Sequence, residues 1–313
     1  MLGRLKPLHT MTTPSPALAE TPSPQPLLGT RVLSLALNLP GPAALMRLKQ
    51  MGAACTKLEP PARDPMAHYS PRAYGDMHAG IELLVADLKQ PDGQQTLHQT
   101  LAQTDVLLTS FRPSALHKLK LDHATLRALY PRLIMVTIVG APGERADEPG
   151  HDLTYMAEQD LVQGRSLPPT LYADMGGALA ASEAVLQGLL VRHQTGAGCH
   201  IEVALSDAAA WLARPRQWEL TTPSGDVGGA HAGYRVYPCQ DGRVAVAALE
   251  PHFASRLCAL AGLADHTHAA MRSAAHHVAL ARFFGGLTCQ SLEAMAAEHD
   301  LPLHTLAPDA TEP

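Results

Sequence analysis

Apolar residues follow two rhythms along this chain, and their order predicts its architecture. Short strand-like runs, most of them rich in apolar residues, recur at "RVLSLAL" (31–37), "ACTKLE" (54–59), "IELLVADL" (81–88), "VLLTSF" (106–111) and "LIMVTIVG" (133–140). Each has the length of a strand, and a run with little polar alternation suits a strand covered on both faces. Between these runs, apolar residues fall three and four apart. After Pro40-Gly41-Pro42, for instance, Ala44, Leu45, Leu48 and Met51 mark one face of a helix. "PDGQQTLHQTLAQTD" (91–105) reads as another helix. Strands alternating with helices predict an α/β fold whose large domain is Rossmann-like, with a mostly parallel sheet. Ligands in such folds sit beyond the carboxyl ends of the strands, which singles out Lys57, Arg112 and the loop after Gly140.

From Met156 to His193 the pattern is helical, and Gly176 and Gly177 permit close helix approach. "CHIEVALSDAAAWLAR" (199–214) reads as a strand and then a helix. Composition changes near Pro223. "YRVYPCQDGRVAVAALEP" (234–251) then reads as a hairpin turning at Gln240-Asp241-Gly242, with helices following to about Glu298. The expected organisation is a disordered arm over residues 1–29, a large α/β domain over 30–222 and a smaller α+β domain over 223–313. The arm is rich in Pro, Ser and Thr and lacks the apolar core of a secretory signal.

Composition narrows the function. A chain of 313 residues exceeds what one core usually holds. Hydrophobic residues make up 46% but aromatics only 4%, so Leu, Ala and Val must build the interior. The net charge of −5, without a long basic run, argues against a nucleic-acid or membrane partner. No apolar stretch approaches the roughly 18–20 residues of a membrane span. Five cysteines without a CxxC pair indicate a reducing, cytoplasmic setting. No GxGxxG, Walker A, HExxH or GxSxG pattern occurs. His266, His268, His276 and His277 lack metal-ligand spacing and read as solvated, so no metal is expected.

The stretch "GHDLTYMAEQ" (150–159) raises a sharper question. Taken alone, Asp152 is a helix cap, His151 a loop histidine, Asp174 a cap before glycines, and Glu250 a turn residue before Pro251. An acid–base site needs several of these together.

They do occur together inside a set of motifs. "VLSLALNLPGPAALMRLKQMGAACTKLEPP", "VADLKQPDG", "DVLLTSFRPSALHKLKLD", "PGHDLTYMA", "LYADMGGALAASEAVLQGLLVRHQTGAG" and "VAALEPHF" appear in that order. Over residues 30–306 the chain resembles the class III CoA-transferase (CaiB/BaiF) family, above all its α-methylacyl-CoA racemase branch. The resemblance implies that His151, Asp174 and Glu250 line an active site. It implies that Arg112 contacts CoA, that Lys57 does likewise, and that Gly150 and Tyr155 line the thioester arm. An interlocked homodimer, an acyl-CoA substrate and no separate cofactor are implied as well. Proton removal beside a thioester needs a base tuned near neutrality and stabilisation of the enolate oxygen. His151 and Asp174 would be two different proton carriers, and Glu250 would orient the imidazole. Asp174, ahead of "MGGALAASEAVL", is expected at a helix N-terminus.

Three departures from the family pattern stand out. Glu82 replaces an expected Arg in "HAGIEL", "VGAPGERADEPG" replaces a glycine-rich loop, and "LPLHTLAPDATEP" ends where relatives continue and return to the first domain. The expected activity is 1,1-proton transfer at C2 of an acyl-CoA. The alternatives are CoA transfer through an Asp174 adduct and an inactive acyl-CoA-binding homologue.

Overall fold

The protein is described by a computed structural model covering residues 24–308. In chain order its elements are β1 (Arg31–Ser34), α1 (Pro40–Gln50), β2 (Ala54–Glu59), α2 (Met66–Tyr69), α3 (Pro71–Met77), β3 (Glu82–Val85), α4 (Pro91–Leu101) and β4 (Val106–Thr109). Next come α5 (Pro113–Lys118), α6 (His123–Leu129), β5 (Ile134–Val139), α7 (Asp152–Glu158), α8 (Tyr172–Thr195), β6 (His200–Ala204), α9 (Leu205–Leu212) and α10 (Arg214–Gln217). The chain closes with β7 (Tyr234–Pro238), β8 (Arg243–Ala247), α11 (Pro251–Leu260), α12 (His268–Met271), α13 (Ala274–Gly285), α14 (Cys289–His299) and β9 (Leu303–Leu306). These elements form two compact units. Among the described residues, one combines 24–149 with Gly177–Ala204; the other combines Gly150–Gly176 with 205–308.

The first unit is a doubly wound α/β layer. Its six strands are all parallel, in the order β3-β2-β1-β4-β5-β6. The continuous apolar runs become its central strands, and every residue of β4 and β5 is buried. Leucines dominate the core, with Leu33, Leu58, Leu97, Leu107 and Leu126 fully covered. Each such burial contributes about 1.5–3 kcal/mol, which compensates for the scarcity of aromatics. The carboxyl-terminal part of α8 lies on β5 because Gly188 has no side chain. A Cβ there would stand 2.5 Å from Ile134 Cγ2. Strand order reverses between β1 and β4, so the loops after these strands flank the switch point where α/β sheets bind ligands.

The second unit has an antiparallel sheet, β7-β8-β9, covered by α11, α13 and α14. Val244, Val246, Leu257, Leu280, Phe284 and Leu292 form its core. The hairpin turns where the sequence indicates, since Pro238 pairs with Arg243 and leaves Cys239–Gly242 as the loop.

Four expectations need revision. The arm expected over 1–29 lies mostly outside the described residues, and within its described part Leu27 is packed while its neighbours are exposed. Leu27 is buried and its N–H donates to Met51 O at 3.0 Å. The stretch from Met156 to His193, expected to be helical, is helical at both ends, but a non-helical segment containing Gly164, Pro168 and Pro169 separates α7 from α8. The division near Pro223 marks the start of the hairpin region, whereas the compact units divide earlier, since α9 packs with α7. Finally, β9 was not expected from its sequence. Among the described residues no helix is long and apolar enough to cross a membrane.

Candidate active site

In the second unit, the start of α7 meets the start of α8. His151 is the residue preceding α7, with extended backbone, and Thr154 fastens it from both sides. The His151 N–H donates to Thr154 Oγ1 at 3.1 Å, while the His151 carbonyl accepts from Thr154 Oγ1 at 2.7 Å and from Thr154 N at 2.8 Å. The backbone is thus held while the imidazole stays exposed. Asp152 turns the opposite way. It is buried, and its Oδ1 accepts the backbone N–H of Asp174 at 3.0 Å.

Asp174 lies in the first turn of α8, as the sequence indicates. A helix N-terminus favours a carboxylate, yet here opposing influences prevail. Partial burial, and then the nearby Asp152 carboxylate, raise the Asp174 pKa from 3.8 to about 6, with His151 pulling the other way. An acid poised near neutrality can exchange protons in both directions. Gly176, on the same turn, lets α9 approach. A Cβ there would meet Leu212 Cδ1 at 3.3 Å and Ala208 Cβ at 3.4 Å. Gly150 is required by Tyr155, whose buried ring occupies the space a Cβ would need. These two residues therefore pack against each other.

Glu250 precedes α11 and is exposed, its carbonyl accepting from Ala254 N at 2.9 Å. Within a single chain, no hydrogen bond or ion pair joins it to His151 among the described residues.

Arg112 and Lys57 belong to the first unit. Arg112 is exposed at the start of α5, beyond the carboxyl end of β4 and therefore beside the switch point. The loop after β1 is held open next to it: Leu37 N–H donates to Ser110 Oγ at 3.2 Å, and Asn38 takes a left-handed φ of 63°. Arg112 is free to meet an anion there.

Lys57 is not. The expectation that it contacts CoA is corrected by its burial at 0% exposure. Its Nζ donates to Asp64 Oδ2 at 2.5 Å, lies 3.2 Å from Glu59 Oε1 and 2.9 Å from His78 Nε2. It also sits 5.5 Å from the Tyr74 ring centroid. A buried ammonium persists only when paired in this way. Asp64 also accepts from Asn38 N, at 3.1 Å, so the cluster anchors the loop after β1 rather than reaching a ligand.

Sequence reasoning missed the partners that Asp152 and Asp64 provide, to the Asp174 N–H and to the Lys57 ammonium. A local signal existed for the second cluster: Lys57 and Glu59, two apart in a strand, share one face of a sheet that is buried on both sides. Glu82, where a cation was expected, accepts from Thr56 Oγ1 at 2.9 Å on the edge strand and offers no grip for a phosphate. The four histidines at 266–277 are partly engaged rather than simply solvated. His268 bonds Asp226 at 2.7 Å, and His276 and His277 bond backbone carbonyls at 2.6 and 3.0 Å.

The family model for CoA-transferase family III matches residues 27–310. The chain belongs to CoA-transferase family III. It is 31% identical over 245 residues to the human "Alpha-methylacyl-CoA racemase", covering 72% of this chain and 62% of that one. It is also 31% identical over 204 residues to the Clostridium sporogenes "Cinnamoyl-CoA:phenyllactate CoA-transferase", covering 58% of this chain and 50% of that one. The chain thus spans between half and two thirds of the length of these relatives. Among solved structures, a CaiB/BaiF family protein from Brucella suis superposes with a TM-score of 0.74 at 25% identity, covering 92% of this chain and 85% of that one. A hypothetical protein from Mycobacterium tuberculosis gives 0.79 at 24% identity, covering 92% and 84%, and shares the fold. Family III includes both racemases and CoA-transferases, and this chain is an enzyme homologue of both kinds.

Proposed function

We propose that this protein is an acyl-CoA racemase or epimerase that inverts C2 of a 2-methylacyl-CoA through an enolate. The observation that carries the reading is the raised pKa of Asp174, about 6, at a helix start tied to the residue after His151. Neutral His151 removes the C2 proton on one face, and the electron pair moves into the thioester carbonyl. Protonated Asp174 then returns a proton to C2 from the other face, and the roles exchange for the reverse reaction. N–H groups in the first turn of α8 other than those of Asp174 and Met175, which already have acceptors, are the donors available to the enolate oxygen. Arg112, at the switch point of the first unit, binds a phosphate of the CoA moiety.

Glu250 supports His151 in this reading only from a second copy of the chain, in a homodimer. The five free cysteines suit a reducing compartment such as the cytoplasm.

A second reading is CoA transfer, favoured by the 31% identity to a transferase. It uses Asp174 as nucleophile, forming an acyl adduct that then accepts CoA. One experiment separates the two. In D₂O, a single epimer of a 2-methylacyl-CoA gains deuterium at C2 and loses its configuration if the first reading holds. Trapping an Asp174 adduct with hydroxylamine, without deuterium exchange, establishes the second instead.

A further inference from the structure

In the second unit, the β7–β8 loop and the first residue of α14 bring together three side chains that the proposed reaction does not use. Cys239 opens the loop, and its N–H donates to Gly242 O at 2.9 Å. Asp241 reaches across to α14, where its Oδ1 accepts the backbone N–H of Cys289 at 2.7 Å. The sulfurs of Cys239 and Cys289 are 3.5 Å apart, and Cys239 Sγ is 3.9 Å from Asp241 Oδ1. One ligand atom from each of the three residues lies within 4.8 Å of the others.

Neighbouring contacts hold this arrangement. Gln240 N–H donates to Leu287 O at 2.9 Å and its side-chain amide to Gly286 O at 3.0 Å, which docks the loop onto the approach to α14. Gly242 leaves the space that Cys289 needs, since a Cβ at Gly242 would stand 2.9 Å from Cys289 Sγ.

The spacings match a coordination polyhedron. With Zn–S of about 2.3 Å and Zn–O of about 2.1 Å, tetrahedral angles place two sulfurs about 3.8 Å apart and a sulfur and an oxygen about 3.6 Å apart. The two measured separations each agree within about 0.3 Å of those values.

The other cluster with metal-like spacing makes an instructive contrast. Glu59, Asp64 and His78 also converge, but the Lys57 ammonium already stands among them. Among the described residues no hydrogen bond or ion pair joins a Lys, Arg or His side chain to Cys239, Asp241 or Cys289.

We propose that Cys239, Asp241 and Cys289 form a binding site for a thiophilic divalent cation, zinc above all, with a fourth position open. Binding forms two metal–sulfur bonds and one metal–oxygen bond, and the two thiol protons pass to solvent, with no change of oxidation state. The metal would staple the hairpin to α14 and stabilise this unit by mass action.

The test uses the full chain, reduced and stripped with a chelator, then titrated with Zn²⁺ by calorimetry and with Co²⁺ by absorbance. The expected result is one ion per chain, about two protons released per ion, a higher Tm, and a thiolate-to-cobalt charge-transfer band. Cys289→Ser should weaken binding by more than about 100-fold, beyond the loss of an outer partner, and diminish the band. Asp241→Asn, a change at an exposed side chain, should weaken binding while keeping the band, and it serves if the serine variant does not fold. Binding that is unchanged in Asp241→Asn and in Cys239→Ser/Cys289→Ser would overturn the proposal. So would a reduced wild-type chain that takes up neither ion, including one that instead closes a Cys239–Cys289 disulfide in air.

Discussion

The backbone N–H of Asp174 donates to the buried carboxylate of Asp152 at 3.0 Å, joining the first turns of two helices whose residues are 22 apart in sequence. One bond does two things. It fixes where the Asp174 side chain begins, and it places a negative charge beside it that keeps its proton bound to a higher pH.

That raised pKa has a stability consequence. Asp174 titrates near 6 when folded, above the 3.8 of an ordinary aspartate, so the native state holds its proton longer than the unfolded chain. Its contribution is therefore favourable below about pH 4 and is lost as pH rises through about 6. Asp174→Asn should abolish proton exchange. It should also be more stable than the wild type at pH 8, by roughly 1–2 kcal/mol after discounting for partial exposure. Thermal melts at pH 8 and pH 4 check this, and a gain of the same size at both would refute it.

Asp152→Asn retains an acceptor for the Asp174 N–H but removes the charge. The limb of the pH–rate profile that belongs to Asp174 should move to lower pH, while KM changes little. Asp152→Ala loses the acceptor too, leaving an N–H unpaired at a cost of about 1–3 kcal/mol, and should lower both Tm and kcat. A profile identical to wild type in Asp152→Asn would mean that burial alone sets the pKa of Asp174.

His151→Ala and Glu250→Gln should each remove most of the exchange activity. If the two residues act as a unit, the double variant should be little worse than the more damaged single one. Since Glu250 does not pair with His151 inside one chain, mixing the two single variants should recover part of the activity through hybrid dimers. No recovery, from variants shown to exchange subunits, would exclude a shared site.

Arg112 and Lys57 should behave oppositely, although both are cations in the same sheet layer. Loss of a charge-assisted phosphate contact, about 1.5–3 kcal/mol, predicts that Arg112→Ala raises the Kd for CoA roughly 10- to 150-fold. Lys57→Met leaves Glu59 and Asp64 buried without their cation and should cost about 3–5 kcal/mol of stability. Calorimetry of CoA binding alongside urea unfolding distinguishes them. A folded Lys57→Met with a weakened CoA affinity and intact stability would return Lys57 to the ligand site.

Local pattern determined much of this protein. The apolar runs that became β4 and β5 need only be read for composition, because a strand buried on both faces carries its signal within itself. The hairpin loop at Gln240-Asp241-Gly242 and the helix start at Asp174 are equally local, since turn and terminus chemistry depends on residues a few positions apart. Tertiary structure decided the rest. "LHTL" has little strand character, and β9 exists because β8 offers it a free edge, with Val246 opposite Leu303. Lys57 reads as a surface or phosphate-facing lysine until Asp64 and His78 fold back over it. Asp152 reads as a helix cap until α8 brings Asp174 to it. A buried charge is tolerated only where distant segments supply its partners, and those partners are set by packing rather than by the neighbouring sequence.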